Sequence, residues 1–422
     1  MLWRRCKQKS FFPRTKINIF FPGIVDNCTI LGYFCGCYFM KNIFLLLVLP
    51  LTFALTSKAF AQSEYPIFKD SSALREEDNE KLFLEIDNLN YLKNYEYFGN
   101  IPLGYTLFGY QLIPQLIYQP NEHFIFKGGI FLRHEFGRAH YASIAPVFTA
   151  KYQNNGFSFL LGNLEGALNH RYVEPIKDIE SIISHRMEQG AQLLLDKKRI
   201  WLDVYIDWEK AIDTSSAFKE EFTAGGSSRI RLINSENWLI ELPIQFMFAH
   251  KGGQIDIAPP GTPRQPDETL FNFASGLSLT RMFNSSFWRG IREENYFVYY
   301  KNLSPGSRIF NEGMGFYSSL TFKTKFFDFD LRYWNGNKFI GPRGGSLYTS
   351  VSQKIPGYVE KKRELFFVSL IYDKQIYKNI FLDLRFEPYY DIKNSLLEYA
   401  YAIHLRFKKD FYLTRLNNKN DK

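Results

Sequence analysis

Cysteine is scarce in this sequence and absent from its main body. The 422 residues contain four cysteines, and all four precede Met40. A disulfide framework, a cysteine nucleophile and a cysteine-ligated metal are therefore excluded for residues 40–422. The seven histidines are scattered, without the short spacing that is typical of a metal site. We expect neither a bound metal nor another cofactor.

A basic surplus is also missing from most of the chain, although the formal net charge is +9. Residues 1–61 carry eight Lys or Arg and one Asp, whereas residues 62–422 carry 44 basic and 42 acidic residues. A nucleic-acid-binding protein concentrates positive charge on the surface that meets the phosphates. The nearly balanced main body therefore argues against a nucleic-acid partner.

Apolar runs long enough for a comfortable membrane-spanning helix are lacking as well. The run from Ile43 to Leu55 follows Lys41 and precedes Ala59-Phe60-Ala61, an order that is typical of a secretory signal with a small-residue cleavage site. We predict a signal peptide at 40–61 and a mature start near Gln62. Residues 1–39 would be an upstream extension outside the mature protein. The alternative is a membrane anchor made of residues 17–40 and the apolar run that follows them.

The remainder of the chain alternates apolar and polar residues with a period of two. Between Arg199 and Lys210 one set of positions is apolar and the other is mostly charged; the two sets are Ile200, Leu202, Val204, Ile206 and Trp208, and Trp201, Asp203, Tyr205, Asp207 and Glu209. Successive side chains of a strand point to opposite faces, so this pattern predicts a strand with one apolar and one polar face. Similar patterns recur up to residue 408.

These alternating segments are longer than the strands of an ordinary globular sheet. About nine to eleven tilted residues cross a bilayer, and aromatic residues near the segment ends are typical of a membrane interface. We predict an all-β, transmembrane antiparallel up-and-down β-barrel of about 16 strands, with 14 or 18 as alternatives. The barrel would occupy 81–410, after a periplasmic lead-in at 62–80 and before a polar tail at 411–422. Long connections at 165–185, 250–267 and 338–362 would lie at the outer end.

In signal, alternation, aromatic ends and loop lengths, residues 80–408 resemble the Gram-negative outer-membrane β-barrels, and among them the porin-like proteins. The resemblance rests on these patterns and on no specific motif. One departure is that the chain continues beyond its last predicted strand, whereas such barrels commonly end there. The resemblance implies an outer-membrane location, contact with outer-membrane lipid, and passive or weakly selective diffusion of small hydrophilic solutes through the lumen.

The connection after the fifth predicted strand has the densest cluster of ionisable groups. If it folds into the lumen, it would form a pore constriction; the constriction candidates are Glu165, Asn169, His170, Arg171, Glu174, Asp178 and Arg186. The alternative is an outer loop with a short helix at 175–184 and surface ion pairs. Further charges should face the lumen from the strands, where they either pair with neighbouring strands or guide ions; they are Asp203, Asp207, Glu209, Glu241, Arg332, Asp383, Arg385, Glu387 and Arg406.

Two other function classes remain open, a barrel that exports or binds a polysaccharide and, with less support, an outer-membrane hydrolase. A hydrolase needs a nucleophile, a base and a group that orients the base. The sequence has no Gly-x-Ser-x-Gly elbow. Ser184 with His185, and His140 with Ser143, are close only along the chain. We therefore predict a channel that is not an enzyme.

Overall fold

The computed structural model describes residues 66–68, 75–213, 216, 218–253 and 266–416. The predicted upstream extension at 1–39 and signal peptide at 40–61 lie outside these residues. Among the described residues, no helix has the length and apolar character required to span a membrane.

Sixteen antiparallel strands form one closed barrel, in which each strand pairs with its neighbours in the chain and β1 pairs with β16. The predicted fold class is confirmed, with sixteen as the number of strands. The strands are β1 (Lys81–Glu96), β2 (Thr106–Asn121), β3 (Phe124–Glu135), β4 (Ser143–Asn154), β5 (Phe157–Asn163), β6 (Gln189–Lys197), β7 (Ile200–Lys210), β8 (Glu220–Asn234), β9 (Trp238–Gly252), β10 (Glu268–Met282), β11 (Trp288–Asn302), β12 (Glu312–Thr324), β13 (Asp328–Asn337), β14 (Lys362–Tyr377), β15 (Ile380–Asp391) and β16 (Leu396–Arg415).

The last strand is longer than predicted. β16 continues to Arg415, which pairs with Lys81 at the start of β1. The predicted barrel end at residue 410 is therefore five residues short, and the predicted tail at 411–422 begins with paired strand. The apolar–polar alternation is lost in this segment because Lys408 to Phe411 are charged residues followed by an aromatic one. Hydrogen bonding to β1 nevertheless continues.

Strand β7 shows why the outer wall is apolar. Val204 and Trp208 are exposed on the outside of the barrel, whereas Asp203 and Asp207 are buried inside it. Alternation across a closed sheet separates the two sets completely, since successive side chains point to opposite faces. The apolar set therefore forms the outer wall of the barrel, which is the face that we predict to contact lipid.

Arginine in place of Ile206 tests this assignment. We expect a loss of about 2–4 kcal/mol in the free energy of unfolding from lipid vesicles, because the charge would enter the hydrocarbon near mid-membrane. Urea titration measures it, and Lys210→Arg at the outer end of the same strand is the matched control. An unchanged unfolding free energy for Ile206→Arg would show that this face does not meet hydrocarbon.

Two long outer connections, 164–188 and 338–361, pack against each other inside the barrel. Lys177 and Arg343 form a parallel bridge, and the Asp178 amide donates to the Arg343 carbonyl over 2.8 Å. The first connection contains a 3-10 helix, Ala167–His170, and a one-turn α-helix, Ser181–Ser184. The second connection contributes Tyr348 to a buried aromatic cluster whose other members include Trp334, Phe339, Phe367 and Tyr389.

Part of the predicted lead-in also lies inside the barrel. Ile67 and Phe68 are buried, and the Phe68 ring packs edge-on against His404 at a centroid distance of 5.1 Å. Arg406 of β16 donates to the Ile67 carbonyl over 2.5 Å. Burial of these two apolar side chains offsets the entropic cost of ordering the segment.

Candidate functional site

The 164–188 connection touches opposite sides of the barrel wall. From β2, the Gln111 side chain donates to the carbonyls of Ile182 and Ile183 over 3.2 and 2.9 Å. From β9, Gln245 donates to the Arg171 carbonyl over 2.8 Å. A connection that reaches both walls lies across the lumen, and most of the predicted constriction residues are therefore interior.

His170 is the centre of the most buried cluster in this connection. Its Nδ1 lies 2.7 Å from Asp203 and its Nε2 lies 2.6 Å from Glu188, while the ring stacks on Tyr205 at 3.8 Å. Burial and the nearby Lys177 disfavour the charged imidazole, but the two carboxylates outweigh them and raise the pKa of His170. Because both ring nitrogens are engaged, His170 anchors the connection and is not a free base.

The neighbouring constriction candidates are held by local contacts. Glu165 accepts from Lys151 over 2.7 Å, and the Asn169 side chain donates to the Gly166 carbonyl over 2.9 Å. The Arg171 guanidinium lies over the Trp201 ring at 4.0 Å. Of these three candidates, Asn169 and Arg171 line an interior cavity of about 190 Å³.

Two of the remaining candidates join the connection to distant strands, and the third, Asp178, makes a contact within the connection. Glu174 accepts from Arg332 of β13, and Arg186 donates to Asp87 of β1 over 2.6 Å. Asp178 accepts the Glu180 amide over 2.9 Å, and burial raises its pKa to about 6. These seven residues therefore all belong to an inserted connection, and their role in selecting solutes stays a prediction.

The predicted strand charges also point inward, where they pair with one another or with the inserted connections. These ion pairs include Asp207 with His185 at 2.8 Å, Glu209 with Arg343 at 2.5 Å, Glu241 with Arg229 at 3.3 Å, Asp383 with Arg385 at 2.9 Å and with His404 at 2.7 Å, Arg332 with Glu387 at 3.5 Å, and Arg406 with Asp87 at 2.5 Å. Pairing between neighbouring strands, one of the two alternatives for these charges, describes the contacts Glu241–Arg229, Asp383–His404 and Arg406–Asp87. The other contacts lie within one strand, skip a strand or involve an inserted connection.

One group of side chains has the composition of a cation site. His185, Asp207 and Glu209 offer ligand atoms within 4.8 Å of one another. However, Arg343 donates to both oxygens of Glu209 over 2.6 and 2.5 Å, and Asp207 is occupied by His185. A cation would have to displace a guanidinium, so this geometry favours an ion-pair network.

A different pair of side chains lies on the outside of the barrel, at its outer end. His250 on β9 and Thr269 on β10 are directly opposite in the register, and the His250 Nδ1 and Thr269 Oγ1 atoms lie 2.9 Å apart. Both belong to the outward-facing set, since Phe246 and Phe248 precede His250 by four and two residues on the same face. The ring of Phe222 on β8 lies 4.8 Å from that of His250. The pair is therefore part of the outer aromatic belt.

Polar groups surround this pair on its outer side. The Thr269 amide donates to the Ser304 hydroxyl over 3.0 Å. Asp267, immediately before β10, accepts from Lys219, and this hydrogen bond lowers the pKa of the Asp267 carboxyl. Among the described residues, His250 is the histidine whose ring nitrogen contacts a side-chain hydroxyl at hydrogen-bond distance.

Sequence reasoning missed this pair because it compared serines and histidines that are adjacent along the chain. His250 and Thr269 are separated by a long outer connection and meet only through the β9–β10 register. Threonine was not considered as a nucleophile. The detectable signal was a histidine that ends an apolar outward face, opposite a hydroxyl residue at the start of the next strand.

The closed barrel and its apolar outer wall define an outer-membrane β-barrel, as the sequence predicted. Residues 74–416 match the profile of the lipid A 3′-O-deacylase-type family. The chain belongs to that family. No curated protein matches the sequence.

Several solved outer-membrane proteins have a similar fold. OprD from Pseudomonas aeruginosa is 11% identical with a TM-score of 0.45, over 82% of this chain and 97% of OprD. A loop-deletion mutant of OmpT from Vibrio cholerae is 8% identical with a TM-score of 0.48, over 78% and 99%. OccAB3 from Acinetobacter baumannii is 10% identical with a TM-score of 0.43, over 78% and 99%.

The family membership overturns one prediction. We expected a barrel that is not an enzyme, and the match to a deacylase-type family over the whole barrel shows that this expectation was wrong. Its basis was the absence of a serine elbow, a motif of soluble hydrolases in which strand, turn and helix follow one another. A barrel assembles its side chains across strands, so that motif has no bearing on it.

Proposed function

We propose that this protein is an outer-membrane deacylase, which hydrolyses an acyl ester of a lipid A-type glycolipid in the outer leaflet. The observation that carries the proposal is the family match, which extends over residues 74–416 and so includes every strand. A barrel with an apolar wall holds its outer rim at the level of the lipid headgroups, where the ester bonds of a glycolipid lie.

The direct test uses the purified barrel in vesicles that contain the glycolipid. We expect release of free fatty acid and a matching loss of one acyl chain from the glycolipid by mass spectrometry. Vesicles with the glycolipid alone are the control. A folded barrel that releases no fatty acid from hexa-acylated or tetra-acylated glycolipid would contradict the proposed activity.

Passive diffusion of small hydrophilic solutes is a second candidate function. It is supported by the charged interior, which contains the cavity of about 190 Å³ beside Arg171 and an outer cleft of about 520 Å³ beside Arg343. The ion-paired connections between the two spaces would keep conductance low. Single-channel recording in a planar bilayer tests this candidate, and a membrane that shows no open steps would count against it.

Arg171 provides a selectivity test within this second candidate. Because its guanidinium borders the interior cavity, Arg171→Glu should shift the reversal potential in a salt gradient toward cation preference. Arg138, whose side chain is 65% exposed beyond the outer end of β3, supplies the control Arg138→Glu. Equal reversal potentials for wild type and Arg171→Glu would place the conducting path elsewhere.

A further inference from the structure

We propose that Thr269, His250 and Asp267 form the catalytic site of the deacylase, with Thr269 as nucleophile, His250 as general base and Asp267 as the residue that orients the base. This assignment rests on the proposed function and adds the position and chemistry of its site. It places catalysis on the outward face of β9 and β10, at the rim of the cleft that His250 and the 338–361 connection both line.

The nucleophile and base already have the required contact. The Thr269 Oγ1 and His250 Nδ1 atoms lie 2.9 Å apart, within the range over which a histidine accepts a hydroxyl proton. Their strands are paired directly at this position, so the contact is held by the barrel backbone. A site built on two paired strands retains its geometry better than one built on loops.

The third residue faces the other side of the imidazole. Gly252 has no Cβ atom, and the position that a Cβ atom would take lies 2.6 Å from the His250 Nε2 atom and 3.3 Å from the Asp267 Oδ1 atom. The space above Gly252 is therefore shared by the base and the carboxylate. Asp267 is largely exposed and accepts from Lys219, so a side-chain rotation within this open space can bring its carboxylate to Nε2.

The surroundings fit an ester that lies at the boundary between acyl chains and headgroups. Toward the membrane, His250 and Thr269 are followed on the same outward face by Phe248 and Phe271, whose rings are 4.8 Å apart. Away from the membrane lie Asp267 and Lys219. An acyl chain could therefore lie along the aromatic wall while its ester carbonyl meets Thr269.

The reaction follows from these positions. His250 takes the Thr269 hydroxyl proton as the oxygen attacks the acyl carbonyl. The Ser304 hydroxyl, which accepts the Thr269 amide, is the group that we assign to donate toward the oxyanion. The ester C–O bond then breaks, and the departing sugar oxygen receives that proton from His250. Water, deprotonated by His250, releases the fatty acid and restores the Thr269 hydroxyl. Asp267 stabilises the imidazolium in both steps.

Three variants test the assignment on the full-length barrel in glycolipid vesicles. Thr269→Val and His250→Gln should each reduce kcat by a factor of at least about 10²–10⁴, the usual contribution of general acid–base catalysis. Thr269→Ser should retain activity. Ser275→Ala, on the same outward face of β10, is the matched control. Heat-modified gel mobility verifies that each barrel is folded.

Asp267→Asn separates positioning from folding. It should lower kcat more than it changes KM, and the acid limb of the pH–rate profile should move to lower pH, because a carboxylate beside an imidazole favours its protonated form. An unchanged profile would remove Asp267 from the site. Labelling of wild type, but not of Thr269→Val, by a fluorophosphonate probe at residue 269 would support the nucleophile independently of the lipid substrate.

The outcomes distinguish the site from the function. If wild type releases fatty acid and Thr269→Val and His250→Gln do so equally well, the proposed site is wrong and the proposed function stands. If wild type releases none but residue 269 is labelled, the site is supported and the glycolipid substrate is wrong. If neither signal is present in a folded barrel, both proposals fail.

Discussion

Replacing His170 by leucine should destabilise the barrel by about 3–5 kcal/mol, because it leaves Asp203 and Glu188 buried without their shared partner. His170 and both carboxylates are almost fully inaccessible to water, so solvent cannot compensate for the loss. Urea unfolding in lipid vesicles measures the effect. His123→Leu, at an exposed periplasmic turn, is the control and should change the unfolding free energy by less than about 1 kcal/mol.

The same cluster predicts a pH dependence. The pKa of His170 is raised in the folded barrel, so protonation stabilises the fold. This contribution is complete below the unfolded imidazole value of about 6.5 and is lost as the pH rises through the raised folded value. The stability difference between wild type and His170→Leu should therefore be larger at pH 6 than at pH 9. A constant difference over this range would show that His170 is neutral in the fold.

The fold was predictable because the strands of the barrel mostly alternate apolar outward-facing residues with polar inward-facing residues. In β7 the alternation from Ile200 to Glu209 predicted both the strand and its lipid-facing side, and the exposure of Val204 agrees with it. The end of β16 was not predictable in the same way. Its final pairs, up to Arg415 with Lys81, depend on the length of β1 at the other end of the chain.

The interior contacts illustrate a second limit of sequence reasoning. The sequence marked the 165–185 connection by its charge and its length, but the partners of His170 are Asp203 on β7 and Glu188 beside β6. Charge clustering identifies residues that need partners, and only the inserted position of the connection decides which partners they have. The aromatic packing of Tyr348 from the 338–361 connection carried no comparable signal.

The outer-rim pair was the least accessible to sequence reasoning. His250 and Thr269 are ordinary residues of two alternating strands, and their contact depends on the exact register across a long connection. A shift of one residue would turn Thr269 toward the lumen, since the side-chain period of a strand is two. Register is set by the whole wall, and a local motif search does not detect it.

Asp87→Asn should also lower the free energy of unfolding by about 3–5 kcal/mol. The reason is that two buried guanidiniums pair with this carboxylate. Arg186 contacts its Oδ2 atom at 2.6 Å, while Arg406 contacts both oxygens at 2.8 and 2.5 Å. Asp87 thereby joins the end of the inserted connection to the arginine that binds the Ile67 carbonyl. Asp78→Asn, which alters a half-buried pair with Lys81, is the control and should cost less than about 1 kcal/mol.

The contacts of Asp87 with Arg186 and Arg406 should also control how easily a reagent in solution reaches the segment at 66–68. If Asp87 holds Arg406 in place, its loss should loosen the contact with Ile67 and expose Phe68. Because the sequence has no cysteine after Met40, a single Phe68→Cys substitution gives a unique thiol in the main body for maleimide labelling. We expect slow labelling in the otherwise native barrel and at least tenfold faster labelling when Asp87→Asn is added. Equal labelling rates in the two folded barrels would show that Ile67 and Phe68 are held by their apolar contacts alone.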